Sequence, residues 1–188
     1  MKRMLLTMGL ALATQALAEE PAVCGTSSAS DWAQIQEVFT GEWLIEHQAG
    51  YALFNGMVLP FPGDGEVETI TIFQLGDTLQ ATHPEAQAPL VLRLADEPRW
   101  TVEIDNPEIP EPLLSPEDVA LVAGCSQLEL PRLIGTSTAV VDEVAMEFTY
   151  RMMAVDWSTL YGIMQIDSVV NGTPVEARRT VWMRLAGR

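Results

Sequence analysis

The sequence predicts an all-β fold, an antiparallel up-and-down barrel of about eight to ten strands accompanied by two short helices. Three observations carry this expectation. Residues 144–155 alternate Met146, Phe148, Tyr150 and Met152 with Glu147, Thr149 and Arg151, the period-2 pattern of a strand with one buried and one wet side. Residues 159–170 and 174–185 continue it as two further strands, joined by Asn171-Gly172, whose tolerance of positive φ suits a two-residue hairpin turn. Turn signals recur at even spacing along the rest of the chain, which favours a closed barrel over a two-sheet sandwich and would leave no exposed sheet edge.

At the start, Lys2 and Arg3 precede an apolar run at residues 4–12, and Ala16-Leu17-Ala18 places small residues at the −3 and −1 positions of a signal-peptidase site. Residues 1–18 therefore read as a signal peptide and 19–188 as a single barrel domain. A buried N-terminal helix is the alternative, but the acidic Glu19-Glu20 is the wrong flank for it. The apolar run is too short for a transmembrane anchor, and no cysteine follows the cleavage point to carry a lipid. The expected location is outside the cytoplasm, periplasmic or secreted.

The formal charge of −16 becomes two units more negative once Lys2 and Arg3 leave with the leader, so nucleic acid is not expected as a partner. Lys2 is the only lysine, which removes Schiff-base and P-loop chemistry from the exported domain. Both cysteines, Cys24 and Cys125, lie beyond the leader, where thiols are normally oxidised and an even count favours pairing. A Cys24–Cys125 disulfide would tie the N-terminal arm down. Two free thiols acting as ligands or nucleophiles is the alternative, although neither has a nearby His or a second Cys at ligand spacing.

In chain order, Ser30 is placed to cap a short helix at 31–39, with Trp32, Ile35, Val38 and Phe39 at 3–4 spacing and Gly41 as its stop. Two apolar segments follow, 42–49 and 51–59, with Gly50, Asn55-Gly56 and Pro60 marking bends. After a Pro62-Gly63-Asp64-Gly65 turn, residues 66–75 read as a strand whose phase slips, implying a bulge or two buried faces. Gly76-Asp77 turns onto a strand at 78–82, and strands at 90–95 and 100–104 come next. The proline- and acid-rich stretch 105–117 must be a surface loop. Ser115-Pro116-Glu117-Asp118 then opens a helix reaching about Ala123, where Gly124 stops it. Leu128, Leu130, Leu133 and Ile134 bring the chain back to the core before a strand near 135–141.

Phe39-Thr40-Gly41-Glu42-Trp43 resembles the opening of lipocalins, in which a short helix leads to Gly-x-Trp at the start of the first barrel strand. Asp156-Trp157-Ser158-Thr159-Leu160-Tyr161 is similar to that family's turn between two late strands, although Val155 stands where Thr is expected. The resemblance implies structural roles for Gly41 and Trp43, with Trp43 packed under a last-strand arginine, Arg184 or Arg179, to close the bottom of the barrel. Related barrels of the wider calycin group would fit as well. The resemblance also implies a binder of a small, mostly apolar molecule, with no metal or other cofactor and usually no catalysis.

Other constellations are weaker. Met146, Met152, Met153, Met164 and Met183 are soft donors that copper(I) would accept, but without Met-x-x-Met spacing a flexible core or an adaptable cavity explains them better. His47 and His83 are the only histidines, too few for a metal without a carboxylate brought alongside. Ser158 has no obvious base, no Gly-x-Ser-x-Gly elbow is present, and an enzyme is not expected. Asn171-Gly172-Thr173 matches the glycosylation pattern, yet the hairpin already accounts for it.

The expected function is non-catalytic binding of a small apolar or amphipathic ligand, with Met146, Phe148, Tyr150, Met152, Met164 and Ile166 forming the cavity wall and Gly162 leaving room beside it. The alternative is an interaction module with a filled core, using the acidic loop at 105–117 or the apolar loop at 51–62 on a basic protein partner. An open pocket favours the first and a solid barrel the second.

Overall fold

Strand β1, Gly41–Phe54, meets two neighbours along one edge and a single neighbour along the other, and this arrangement closes the molecule. The computed structural model describes residues 23–61, 63, 65, 67–76, 78–82, 88–95 and 116–187. After β1 come β2 (Met57–Phe61), β3 (Val67–Leu75), β4 (Thr78–Thr82), β5 (Leu90–Leu94), β6 (Arg132–Val141), β7 (Val144–Asp156), β8 (Thr159–Val170) and β9 (Thr173–Gly187). From β3 onward each strand pairs antiparallel with the next, and β9 returns to pair with β1. The result is a closed eight-stranded antiparallel barrel, with β2 outside the ring as a hairpin extension of β1.

The turns follow from residues that accept positive φ. Asn171 (51°) and Gly172 (79°) form the tight β8–β9 hairpin, and Asn55 (51°) and Gly56 (73°) do the same between β1 and β2. Asp142 (48°) and Glu143 (66°) make the β6–β7 turn, a pair that carries no glycine and was not legible as a turn. Gly41 opens β1 at a φ of 138°, a conformation that residues with a Cβ rarely adopt.

Several expectations about single elements are corrected. The two segments expected at 42–49 and 51–59 are largely one strand, because Gly50 does not break β1 but sits where a register shift lets the β9 backbone press in. A Cβ at Gly50 would fall 1.9 Å from the Arg178 carbonyl oxygen. Strand β3 keeps a continuous register with both neighbours, with Ile70 and Ile72 buried on one face, so the expected phase slip is absent. The first helix, α1 (Ala29–Ile35), is capped by Ser28, whose Oγ accepts from the Asp31 amide at 3.2 Å; Ser30 is not the cap. A 3₁₀ turn, Gln36–Phe39, completes the run into β1. Helix α2, Pro116–Ala123, ends at Gly124 with φ of 73°. Leu130 and Leu133 reach the core, but Leu128 is exposed. The strand expected at 100–104 and the leader lie outside the described residues, as does the loop expected at 105–117 except for Pro116 and Glu117, which belong to α2.

The end of the barrel where β1 begins is packed with aromatic rings. Phe39 and Trp43 are fully buried, Trp32 stacks on Phe39 at 5.7 Å between centroids, and the Trp157 ring lies 6.1 Å from it at a tilt of 41°. Burial of each such side chain contributes roughly 1.5–3 kcal/mol. The outside of the barrel is covered in part as well. Met152, Met153, Ala154 and Val155 are all buried, so the one-wet-face alternation of β7 fails over its second half. Helix α2 lies against β7, and Cys24 and Cys125, joined by a disulfide with Cα atoms 6.2 Å apart, pack against the same cluster with Val23 and Ala123. No helix among the described residues is long and apolar enough to cross a membrane.

Candidate functional site

Strands β7, β8 and β9 lie side by side with matched registers, so their inward residues fall in rows across the sheet. Phe148 faces Ile166, Tyr150 faces Met164, and Met152 faces Gly162. On the far side Met164 faces Arg179 and Gly162 faces Val181. The inward positions of β1 and β3 close the opposite wall, and between the two walls lies a cavity of about 200 Å³. It is neither sealed nor a surface groove. Its apolar lining comes from Ile45, Ile70, Leu90 and Leu92 on one side and from Met152, Leu160, Met164 and Met183 on the other.

Of the residues expected to form the wall, Phe148, Tyr150, Met152 and Met164 do line this cavity. Met146 and Ile166 do not, although they share the inward face; both are half-buried, toward the β8–β9 hairpin. Gly162 does not provide space. A Cβ there would fall 1.9 Å from the Arg151 carbonyl oxygen, so the glycine serves close approach of β7 and β8.

Trp43 is fully buried beneath the cavity, where its Nε1 donates to the Phe39 carbonyl at 2.9 Å and its ring lies 6.3 Å from that of Phe39. Arg184 is not its partner. Arg184 pairs with Leu44 on the outward face and is exposed, while Trp43 pairs with Leu185 and points in. Arg179 does face inward, but in register with Gly50 rather than Trp43, well up the strand from the barrel floor.

The cavity also holds a polar wall that the sequence did not signal as a unit. His47, Glu68, Tyr150 and Arg179 all line it, joined by Ser137 and Thr82. His47 and Arg179 are both buried. His47 Nδ1 lies 3.9 Å from Glu68 Oε1. The guanidinium of Arg179 donates through Nε to the Gln48 carbonyl at 3.0 Å. That contact depends on the β1 irregularity: between His47 and Gly50 the ladder to β9 shifts register, which takes Gln48 out of regular pairing. Burial pushes the Tyr150 phenol well above its usual range, nearby Glu68 pushes it further, and Arg179 partly opposes both. Tyr150 therefore stays a protonated donor at neutral pH.

A signal for this wall existed in the strand periodicity. Ala177, Arg179, Val181 and Met183 share one face of β9, so an arginine stands in an otherwise apolar set; Glu68 stands likewise with Ile70 and Ile72. Among the described residues, no group of three or more His, Cys, Asp or Glu side chains is placed to hold a metal ion. The chain matches no protein-family model and no curated protein.

Proposed function

We infer that this is an exported, non-catalytic binding protein, lipocalin-like in build, that carries one small apolar or amphipathic molecule inside its barrel. The observation that supports this most directly is the cavity of about 200 Å³, apolar over most of its lining, in a barrel of the size that accommodates one small ligand. Support for the lipocalin likeness comes from the eight-stranded closure and from a short helix leading through Gly41 to a floor built on Trp43. The Cys24–Cys125 disulfide supports export, since such bonds persist in oxidising compartments.

A cavity-filling variant tests the reading. Toluene in excess should raise the melting temperature, because a ligand that binds only the native state stabilises it by about 2.7 kcal/mol at a hundredfold excess over Kd. Ala81, buried in the cavity wall, offers the site for filling. The variant Ala81→Leu should lose the toluene shift while remaining folded. An equal shift in both proteins, or none in the wild type, would remove the cavity as the binding site.

The interaction-module reading keeps one observation in its favour, the exposure of Met57 and Leu59 on the β1–β2 hairpin. Pro60 in the same strand removes a backbone donor from that edge, which blunts strand addition there.

A further inference from the structure

The cavity stops where the barrel becomes solid. Trp43, Ile72, Leu79 and Leu133 are buried on the inward faces of β1, β3, β4 and β6, and none of them lines the cavity, so they fill the interior beneath it. A ligand has no room to lengthen downward. At the opposite end the lining residues that reach solvent include Thr82, Val141 and Glu68, the last with a third of its side chain exposed. A chain growing past them returns to water and gains no burial.

Between these limits, the width depends on a residue that does not line the cavity at all. Gly135 of β6 pairs with Leu92 of β5 and Tyr150 of β7, and the Leu90 and Leu92 side chains occupy the place of its absent Cβ. That atom would lie 2.9 Å from Leu90 Cγ and 2.9 Å from Leu92 Cδ2. Both leucines belong to the cavity wall. Gly135 is not among the glycines with positive φ, so its backbone accepts alanine, and what the glycine supplies is space behind the wall. A methyl group there would push the two leucines off β6 and into the ligand's volume.

The volume translates into a ligand size. An apolar cavity of about 150 Å³ holds the six carbons of benzene, so by proportion about 200 Å³ holds about eight.

We propose that the barrel is gauged for compact ligands whose apolar part has about eight carbons, and that Gly135 sets this gauge by letting Leu90 and Leu92 lie back against β6. This rests on the ligand-carrier reading above and gives it a size class, from which long-chain lipids are excluded.

The probes are n-butanol, n-hexanol, n-octanol and n-decanol, which keep one head group and vary only the chain, titrated calorimetrically into the wild type, Gly135→Ala and Gly135→Ala/Leu90→Val. Each buried methylene strengthens binding about fourfold, so in the wild type octanol should bind about fifteenfold more tightly than hexanol, with decanol no tighter than octanol. In Gly135→Ala the gain from hexanol to octanol should fall to about fourfold or below while the gain from butanol to hexanol persists. The double variant, which takes a carbon back from the displaced leucine, should recover the wild-type pattern; if the single variant does not fold, this recovery carries the test. Decanol about fifteenfold tighter than octanol would overturn the size limit and leave the carrier reading standing. The wild-type gains unchanged in Gly135→Ala, or all four alcohols weakened by one common factor, would remove Gly135 as the gauge. A double variant that keeps the shorter limit would break the link through Leu90. No binding of any alcohol by the wild type would sink the carrier reading together with this one.

Discussion

The indole Nε1 of Trp43 donates to the carbonyl of Phe39 at 2.9 Å, and this bond locks the 3₁₀ turn to the first barrel strand. Both residues are fully buried, so the bond lies where no water replaces it. Trp43→Phe should cost about 1–3 kcal/mol by leaving the Phe39 carbonyl unsatisfied, and Trp43→Ala about 3–5 kcal/mol through the added cavity. Urea unfolding of the two variants separates the contributions. A negligible loss in Trp43→Phe would mean that the hydrogen bond contributes nothing, and equal losses in the two variants would mean that the added cavity contributes nothing.

Arg184 lies on the outer surface, away from that floor. Arg184→Ala is expected to change stability by no more than about 0.5 kcal/mol, and its effect should add to that of Trp43→Ala. A coupling of about 1 kcal/mol between them would contradict the placement.

Gly50 and Gly162 each lie where a Cβ would be 1.9 Å from a neighbouring strand's carbonyl oxygen. Backbone cannot yield as a side chain does. Gly50→Ala and Gly162→Ala should each cost at least about 3 kcal/mol, beyond the usual penalty of overpacking. Chemical denaturation of either variant checks this, and a loss under 1 kcal/mol would show that the strands part easily.

Glu143 holds a φ of 66° in the β6–β7 turn without a glycine's freedom. The left-handed conformation costs a residue with a Cβ roughly 1–2 kcal/mol, part of which glycine gives back as unfolded-chain entropy. Glu143→Gly should therefore stabilise by about 0.5–1 kcal/mol, read as a higher melting temperature.

Burial raises all three tyrosines, Tyr51, Tyr150 and Tyr161, above the ordinary phenol value of 10.0. The unfolded chain thus releases phenolic protons at lower pH than the native one. The stability linked to these groups is complete below about pH 10 and falls as pH rises above it. Absorbance at alkaline pH should show little phenolate until the protein unfolds, with ionisation and loss of structure in one transition. Three tyrosines titrating independently near 10 in the folded state would overturn this.

How much of this was legible depended on whether a signal was local. The final meander was readable because period-2 alternation and Asn171-Gly172 are local, and the registers of β7, β8 and β9 follow them closely. Barrel closure was an expectation from strand number and spacing, and the β1–β9 pairing supplies it. The polar wall was illegible as a unit because His47, Glu68, Tyr150 and Arg179 are brought together only by four strand pairings and a shift in register. Parity alone would have set Arg184 outside and Arg179 inside, since Met183 is buried in the same strand. The family resemblance pointed to both arginines and carried no such test.

The seam between β1 and β9 joins residues more than a hundred positions apart, from Glu42 against Gly187 to Phe54 against Val175. Until β9 has been synthesised, β1 lacks the neighbour along one entire edge, and the interior is open along its length. Folding of the ring is therefore expected to be post-translational and slow, since loop-closure entropy is paid before the longest-range contacts form. On the export proposed above, this order of events would keep the nascent polypeptide threadable, with the ring closing only once its two terminal strands share a compartment.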